Sequence, residues 1–409
     1  FNRVHPALQG LPGPRLMYSA PLRTVLFGKK TNPDLYLDFT LGQLDPRITY
    51  THTNANSWGF NAAGVLVNYA ATTPKFDYGV LGGGACRGLR IEAGPANSLL
   101  WCRDGTNAAW TKSGSMTATK DVTGLDGVVN SATRLTAGAS DQTILQSITL
   151  GASTRATSFY LKRITGTGTV EITDDGGGNW IDVTAAIAAG GAGWSRHYNA
   201  RNQSNPNVGI RIRTSGDEVA FDCGQVEVDA YPSSPIITTS SAVTRVRDDA
   251  TMTGTNFSDW FNGAAGTFLA EFYVDYAPTA VFDRTLLQVD DGNVVNNRLT
   301  AFAARQTISS RAGIAIYNAG SSQGDFAAVV TMSAGILQRH ASSYSASGFN
   351  LACNGVLGTR DASVSLPSWN RLIMGGRIGS GAQFNGVLKS LSYWRSESTD
   401  GRLVTLSSL

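Results

Sequence analysis

The chain has 409 residues, with 33 Lys and Arg against 30 Asp and Glu and a formal net charge of +3. The basic residues are scattered, with no run able to track a phosphate backbone, which argues against nucleic acid as a partner, and no stretch of about 18 apolar residues is present to insert in a membrane. Charged residues make up only 15% and glycines number 46, where an average soluble protein is roughly 25% charged. With Ser, Thr, Asn and Val throughout, this favours an all-β chain of strands joined by tight turns, too long for one ordinary core.

Residues 1–43 hold Pro6, Pro12, Pro14, Pro21 and Pro33 and one strand candidate, DLYLDFTL. They read as an extended attachment arm that packs on something else. The opening FNRVHPALQG has no methionine and no charged-then-apolar leader, the expectation for a processed start. Residues 44–98 form a small β-rich segment of short strands, RITYTH, GVLVNYA and RGLRIEA. The glycine run at 82–84 lacks the Lys-Ser/Thr and the following helix of a phosphate loop, so it reads as a hairpin turn.

Residues 99–235 carry strand candidates such as TRLTAG, QTILQSITL, TSFYLKRI, TVEITDD, WSRHYNA, VGIRIRT and FDCGQVEVDAY. Their spacing suits an antiparallel two-sheet sandwich. The Pro-, Ser- and Thr-rich stretch 231–249 has a linker's composition, which places a linker at 236–249. Residues 250–409 repeat the strand spacing and predict a second sandwich. In its last strand, GVLKSLSYW, Leu388, Ser390, Ser392 and Trp394 alternate with Val387, Lys389, Leu391 and Tyr393. Apolar residues fall on both sides, so cover on both faces is expected. A short helix is expected at DGRLVTLSS.

Chemistry is sparse. The acids best placed for glycoside hydrolysis are Glu271 with Asp275, and Glu227 with Asp229, but no third acid completes a catalytic set. Ser322 in GSSQG is followed by a strand pattern where a nucleophile elbow needs a helix. The Asp174-Asp175-Gly176-Gly177-Gly178-Asn179 and Asp290-Asp291-Gly292-Asn293 turns offer oxygens to calcium, yet ordinary turn chemistry accounts for them. Neither the histidines nor the cysteines have metal-ligand spacing, so no metal or cofactor is expected. Cys102 and Cys223 near the ends of the first sandwich are the one pair worth testing as a disulfide. The tryptophans at strand ends and beside turns are the better lead, because an exposed indole can stack on the apolar face of a sugar ring while Asn, Asp and Arg bind its hydroxyls. Asp174, Asp175, Asn179 and Trp180, with Trp194, Arg196 and Tyr198 on the next strand, are the candidate glycan cluster.

Several motifs are familiar as a set: Leu37-Asp38-Phe39, Pro46-Arg47-Ile48-Thr49, Phe76-Asp77-Tyr78, Arg87-Gly88-Leu89-Arg90-Ile91-Glu92 and Asn107-Ala108-Ala109-Trp110-Thr111-Lys112. In this order they resemble tailed-bacteriophage fibre and spike proteins of the phage head spike fibre type. Lys75 stands where those proteins carry Arg, and Gly94-Pro95-Ala96-Asn97 departs from their Arg-Thr-Asn. Gly224-Gln225-Val226-Glu227 is similar to the last strand of jelly-roll carbohydrate-binding modules, and FNGVLKSLSYW to that of concanavalin-A-like, laminin-G-type jelly rolls. The resemblance implies two jelly rolls in a virion structural protein on the particle surface. It further implies a homotrimer attached to other virion proteins through the arm, binding host-surface polysaccharide without catalysis. A polysaccharide depolymerase and a secreted bacterial lectin-like adhesin are the alternatives.

Overall fold

The computed structural model describes residues 32–52, 56–79, 81–191, 193–277, 283–305, 311–330, 332–376 and 383–409. Most of the expected attachment arm, 1–31, lies outside them. The chain is all-β, 47% strand and 6% helix, and among the described residues every pairing between strands is antiparallel. Among the described residues no helix is long and apolar enough to cross a membrane.

The first sandwich has two five-stranded sheets. One is built on the long strand Ser153–Thr165, flanked by Ser195–Gln203 and Glu218–Glu227. The other centres on Asn207–Ile212, between Val170–Thr173 and Gln142–Ser147. Alternate residues from both sheets, among them Phe159, Leu161, Phe221, Ile172, Ile210 and Ile144, form one buried core, as the period of a strand requires. Trp110 closes it, 5.5 Å from the Phe221 ring, and its buried indole N–H donates to the Trp101 carbonyl at 3.1 Å.

The second sandwich draws on both ends of the sequence. Its last strand, Gly386–Trp394, pairs along one side with Ala265–Val274 and along the other with Leu35–Asp38 and Gly88–Ile91. In the facing sheet, Thr49–Thr51 pairs with Asp249–Thr253. Two expectations are corrected here. The strand at 35–38 belongs to a sheet rather than to an arm, and of the strands within 44–98, Thr49–Thr51, Phe76–Asp77 and Gly88–Ile91 join the sheets of the second sandwich while Ser57–Phe60 and Leu66–Tyr69 pair only with each other. The stretch 236–249 is not an exposed linker either, since Ile236, Thr238, Arg245 and Asp248 are buried and Val243–Thr244 pairs with Ala96–Asn97. Pro, Ser and Thr signal irregular backbone, which buried side chains such as Asn97 can satisfy: its amide donates to the Gly224 and Ile236 carbonyls.

The last strand is buried on both faces, but its alternation changes phase. Glu271 lies opposite Ser390 and Phe272 opposite Leu388, so Lys389 is an extra residue in the ladder. Leu388 therefore shares the core with Leu391 and Tyr393. Asn385 makes the turn into the strand at φ 53°. Gly386 is needed for space, because a Cβ there would sit 2.7 Å from the Tyr273 carbonyl oxygen. Gly386→Ala should lower unfolding free energy by about 1–3 kcal/mol, read as an earlier midpoint in urea. The final helix, Asp400–Ser407, starts on Thr399, whose hydroxyl accepts from the Arg402 N–H, and buries Leu403 against Ala341 and Ala352.

Candidate functional site

The sequence-selected cluster divides in two because side chains alternate along Ser195–Gln203. Asp174 and Asp175 follow the strand Val170–Thr173. Asp175 accepts from the Asn179 backbone at 2.9 Å, the Asn179 side chain at 2.7 Å and the Thr173 hydroxyl at 2.8 Å. Partial burial disfavours its charge, but these bonds and Arg201 hold its carboxyl well below the usual range. Asp174 accepts from Asn199 and Arg201, and Arg201 also reaches Asp175 at 2.6 Å. Arg201 thus bridges the two carboxylates, and among the described residues no cluster of His, Cys, Asp or Glu could hold a metal. Trp180 packs under Arg211, 4.3 Å from its ring centre, and Arg211 pairs with Glu171.

Trp194, Arg196 and Tyr198 belong elsewhere. Trp194 packs beside Tyr160 with Trp58 and Phe60. Arg196 and Tyr198, two residues apart, point away from the first sandwich's core into a cleft of about 250 Å³. The walls come from distant parts of the chain: Phe60, Tyr69, Asp77, Arg87 and Arg90; Tyr160 on the strand Ser153–Thr165; the turn Pro232 to Pro235; and Asp275 with Tyr276 beyond Ala265–Val274. At the rim the Tyr198 ring meets Tyr276 edge to face at 4.9 Å, and Tyr276 stacks on Tyr231 at 5.0 Å. Tyr198 is 37% exposed.

The polar groups of the cleft are held firmly. Arg90 bridges Asp77 and Asp275, reaching the latter at 2.6 Å, and Arg87 also pairs with Asp77. Burial opposes the Asp77 charge, but the two guanidinium groups outweigh it and lower its pKa. Arg196 lies 5.0 Å from the Tyr160 ring centre and donates to the Ser158 hydroxyl at 3.0 Å and the Ser233 carbonyl at 2.5 Å. The 232–235 wall is tied down from behind. Glu227 accepts from the Ser233 N–H and hydroxyl, and Glu92 accepts from the Ser234 N–H at 2.7 Å. Burial pushes the Glu227 carboxyl up to about 7, against the pull of Arg196 and the Ser233 bonds.

The remaining candidates are committed to structural bonds. Glu271 accepts from Arg339 at 2.9 Å and Ser390 at 2.7 Å, with Lys389 at 3.5 Å. It shares none of these partners with Asp275. Although burial opposes its charge, they keep its carboxyl below the ordinary range. Asp229 pairs with Arg284. Ser322 lies in the strand Ser321–Ala328, opposite Tyr317. Asp290 and Asp291 accept from the backbone of their own turn, from Gly292 and Asn293. Cys102 and Cys223 are free thiols, so the tested disulfide is absent. Their stretches are adjacent, the Gly224 N–H donating to the Cys102 carbonyl at 2.8 Å. The sulfurs have other partners, however: Cys102 Sγ accepts from the Thr238 N–H at 3.2 Å, and the Cys223 thiol donates to Asp222 at 3.3 Å.

Tyr276, Asp275, Arg90 and Arg87 were not selected from sequence as binding residues. Only the shared parity of Arg196 and Tyr198, opposite to that of Asn199 and Arg201, could have separated this face from the Asp174 turn.

No family model matches the chain, and no curated protein matches it. Solved structures with partial likeness include the sialidase CBM40 of Ruminococcus gnavus bound to α2,3-sialyllactose, at 15% identity over 36% of this chain and 84% of that one, TM-score 0.30. A heptameric SAP-like pentraxin from Limulus polyphemus is 13% identical over 35% and 70%, TM-score 0.27. A Trypanosoma rangeli sialidase in complex with the inhibitor DANA is 12% identical over 39% and 25%, TM-score 0.30. These structures match only part of the chain, and the character of the site rests on its own geometry.

Proposed function

We propose that this chain is a glycan-binding protein displayed on a bacteriophage particle as a fibre or spike subunit, and that the cleft between the sandwiches is where it holds host-surface polysaccharide. The observation that carries the binding reading is the rim pair Tyr198 and Tyr276 above fixed arginines and aspartates. Flat phenol faces suit the apolar side of a sugar ring, and preset charged groups suit its hydroxyls without reorganisation. The virion setting, the homotrimer and attachment to other virion proteins through the N-terminal residues rest on the sequence motifs alone. Binding without turnover is favoured because Asp77 and Asp275 are each clamped by arginine and Glu271 by Arg339, Lys389 and Ser390. None of these is free to exchange a proton with a glycosidic oxygen.

The test is to incubate the protein with capsular and lipopolysaccharide preparations from candidate hosts and to measure retention together with release of reducing ends. Retention without release is the expected result. Tyr198→Ala should weaken retention about tenfold, the loss of one stacking face. Release of reducing ends would make the chain a depolymerase, and no retention by any preparation would leave a purely structural subunit.

A further inference from the structure

Among the described residues, the cations around the cleft are ion-paired except Arg196. Behind it, Lys75 and Arg245 face Glu92 and Asp248, two cations with two anions, all buried. Along its floor Arg87 and Arg90 face Asp77 and Asp275, again two and two. Among the described residues Arg196 has no ion pair. Its bonds go to a backbone carbonyl and a serine hydroxyl, its plane lies over the Tyr160 ring, and Nε is buried with no hydrogen-bond partner. Glu227, the carboxyl whose field reaches Arg196, turns its oxygens to Ser233 and Gln225. A guanidinium carries five N–H donors in a planar fork shaped for a carboxylate, and holding it against neutral partners in a partly dry cleft is unfavourable until an anion arrives.

We infer that the ligand of this cleft is an acidic saccharide whose carboxylate is taken by Arg196 while Tyr198 and Tyr276 hold the ring. This rests on the cleft being a glycan site and adds the class of sugar. The nearby Asp77 and Asp275, each already paired, would turn toward sugar hydroxyls only as acceptors, so neutral units flanking the acidic one are accommodated as well.

The experiment uses the full chain and four acidic polysaccharides, polygalacturonate, alginate, hyaluronan and polysialic acid, each beside its carboxyl-reduced neutral product. At least one acidic form should be bound, with its reduced product weaker by at least about tenfold. Arg196→Gln should lose about the same factor on the acidic form and clearly less on the reduced one, where only a hydroxyl contact is removed. Arg196→Lys, which keeps the charge and loses the fork, should fall between. Thermal unfolding of each variant checks that the fold survives, and the comparison of acidic with reduced polymer on the unaltered chain needs no variant. Equal binding of an acid and its reduced product would overturn the acidic-sugar inference and leave the glycan reading standing. Binding to none of the eight polymers would overturn both.

Discussion

Glu92→Ala should remove about 3–5 kcal/mol of stability, enough to be read directly as a shifted midpoint in chemical denaturation. Glu92 is fully buried and contacts Lys75 at 2.7 Å and Arg245 at 3.1 Å. It also receives the Ser234 N–H, and its own N–H donates to Asp248 at 3.0 Å. Burial alone would neutralise such a group, but Arg245 and Lys75 hold its carboxyl well below the usual range. Truncation leaves two cations in a dry site with only Asp248 between them, which is the uncompensated charge that makes breaking a buried pair so unfavourable. Glu92→Gln keeps the shape and a hydrogen-bonding oxygen but not the charge, so it should be damaging too, by less. A loss under about 1 kcal/mol for the alanine variant would mean that water reaches the network.

That network also shows what sequence could and could not reveal. Lys75 and Glu92 sit on neighbouring segments, but Arg245 and Asp248 lie more than 150 positions further on, in a stretch whose composition suggests an exposed linker. No local signal says that a Pro- and Ser-rich run will be buried, because its partners are chosen by the tertiary fold. Strand existence was readable from period and turn residues, and so was burial of Gly386–Trp394 on both faces. The phase of that strand was not, since one extra residue at Lys389 exchanges its faces and a bulge has no compositional mark. The binding face was half readable. Arg196 and Tyr198 are placed together by parity, whereas the ion pair of Arg90 with Asp275 joins residues 185 apart in sequence.

Between pH 6.5 and pH 4 two buried imidazoles should work against the fold. His340 is wholly buried with its Nε2–H donating to the Gly313 carbonyl at 3.1 Å, and His197 lies against the Ser195 hydroxyl at 2.7 Å. Burial pushes each down to about 4 from 6.5. Between those values the unfolded chain binds the proton and the folded chain does not, so stability is full above 6.5 and falls as pH drops, by about 3 kcal/mol for each ring. Glu227 acts in the opposite sense. Its carboxyl is raised from 4.5 to about 7, so the folded state takes up that proton first and gains about 3 kcal/mol as pH falls from 7 to 4.5. These three groups together cost the unaltered chain about 3 kcal/mol over this window, and the carboxylates held low, Glu92 and Glu271 among them, remove more as pH falls toward 4. His340→Gln, whose amide can still donate to Gly313, removes one of the two unfavourable terms and should lose about 3 kcal/mol less than the unaltered chain between pH 6.5 and pH 4. Urea midpoints at half-unit pH steps for both chains check this. Parallel curves would mean that His340 accepts its proton within the fold, with water reaching the sheet around it.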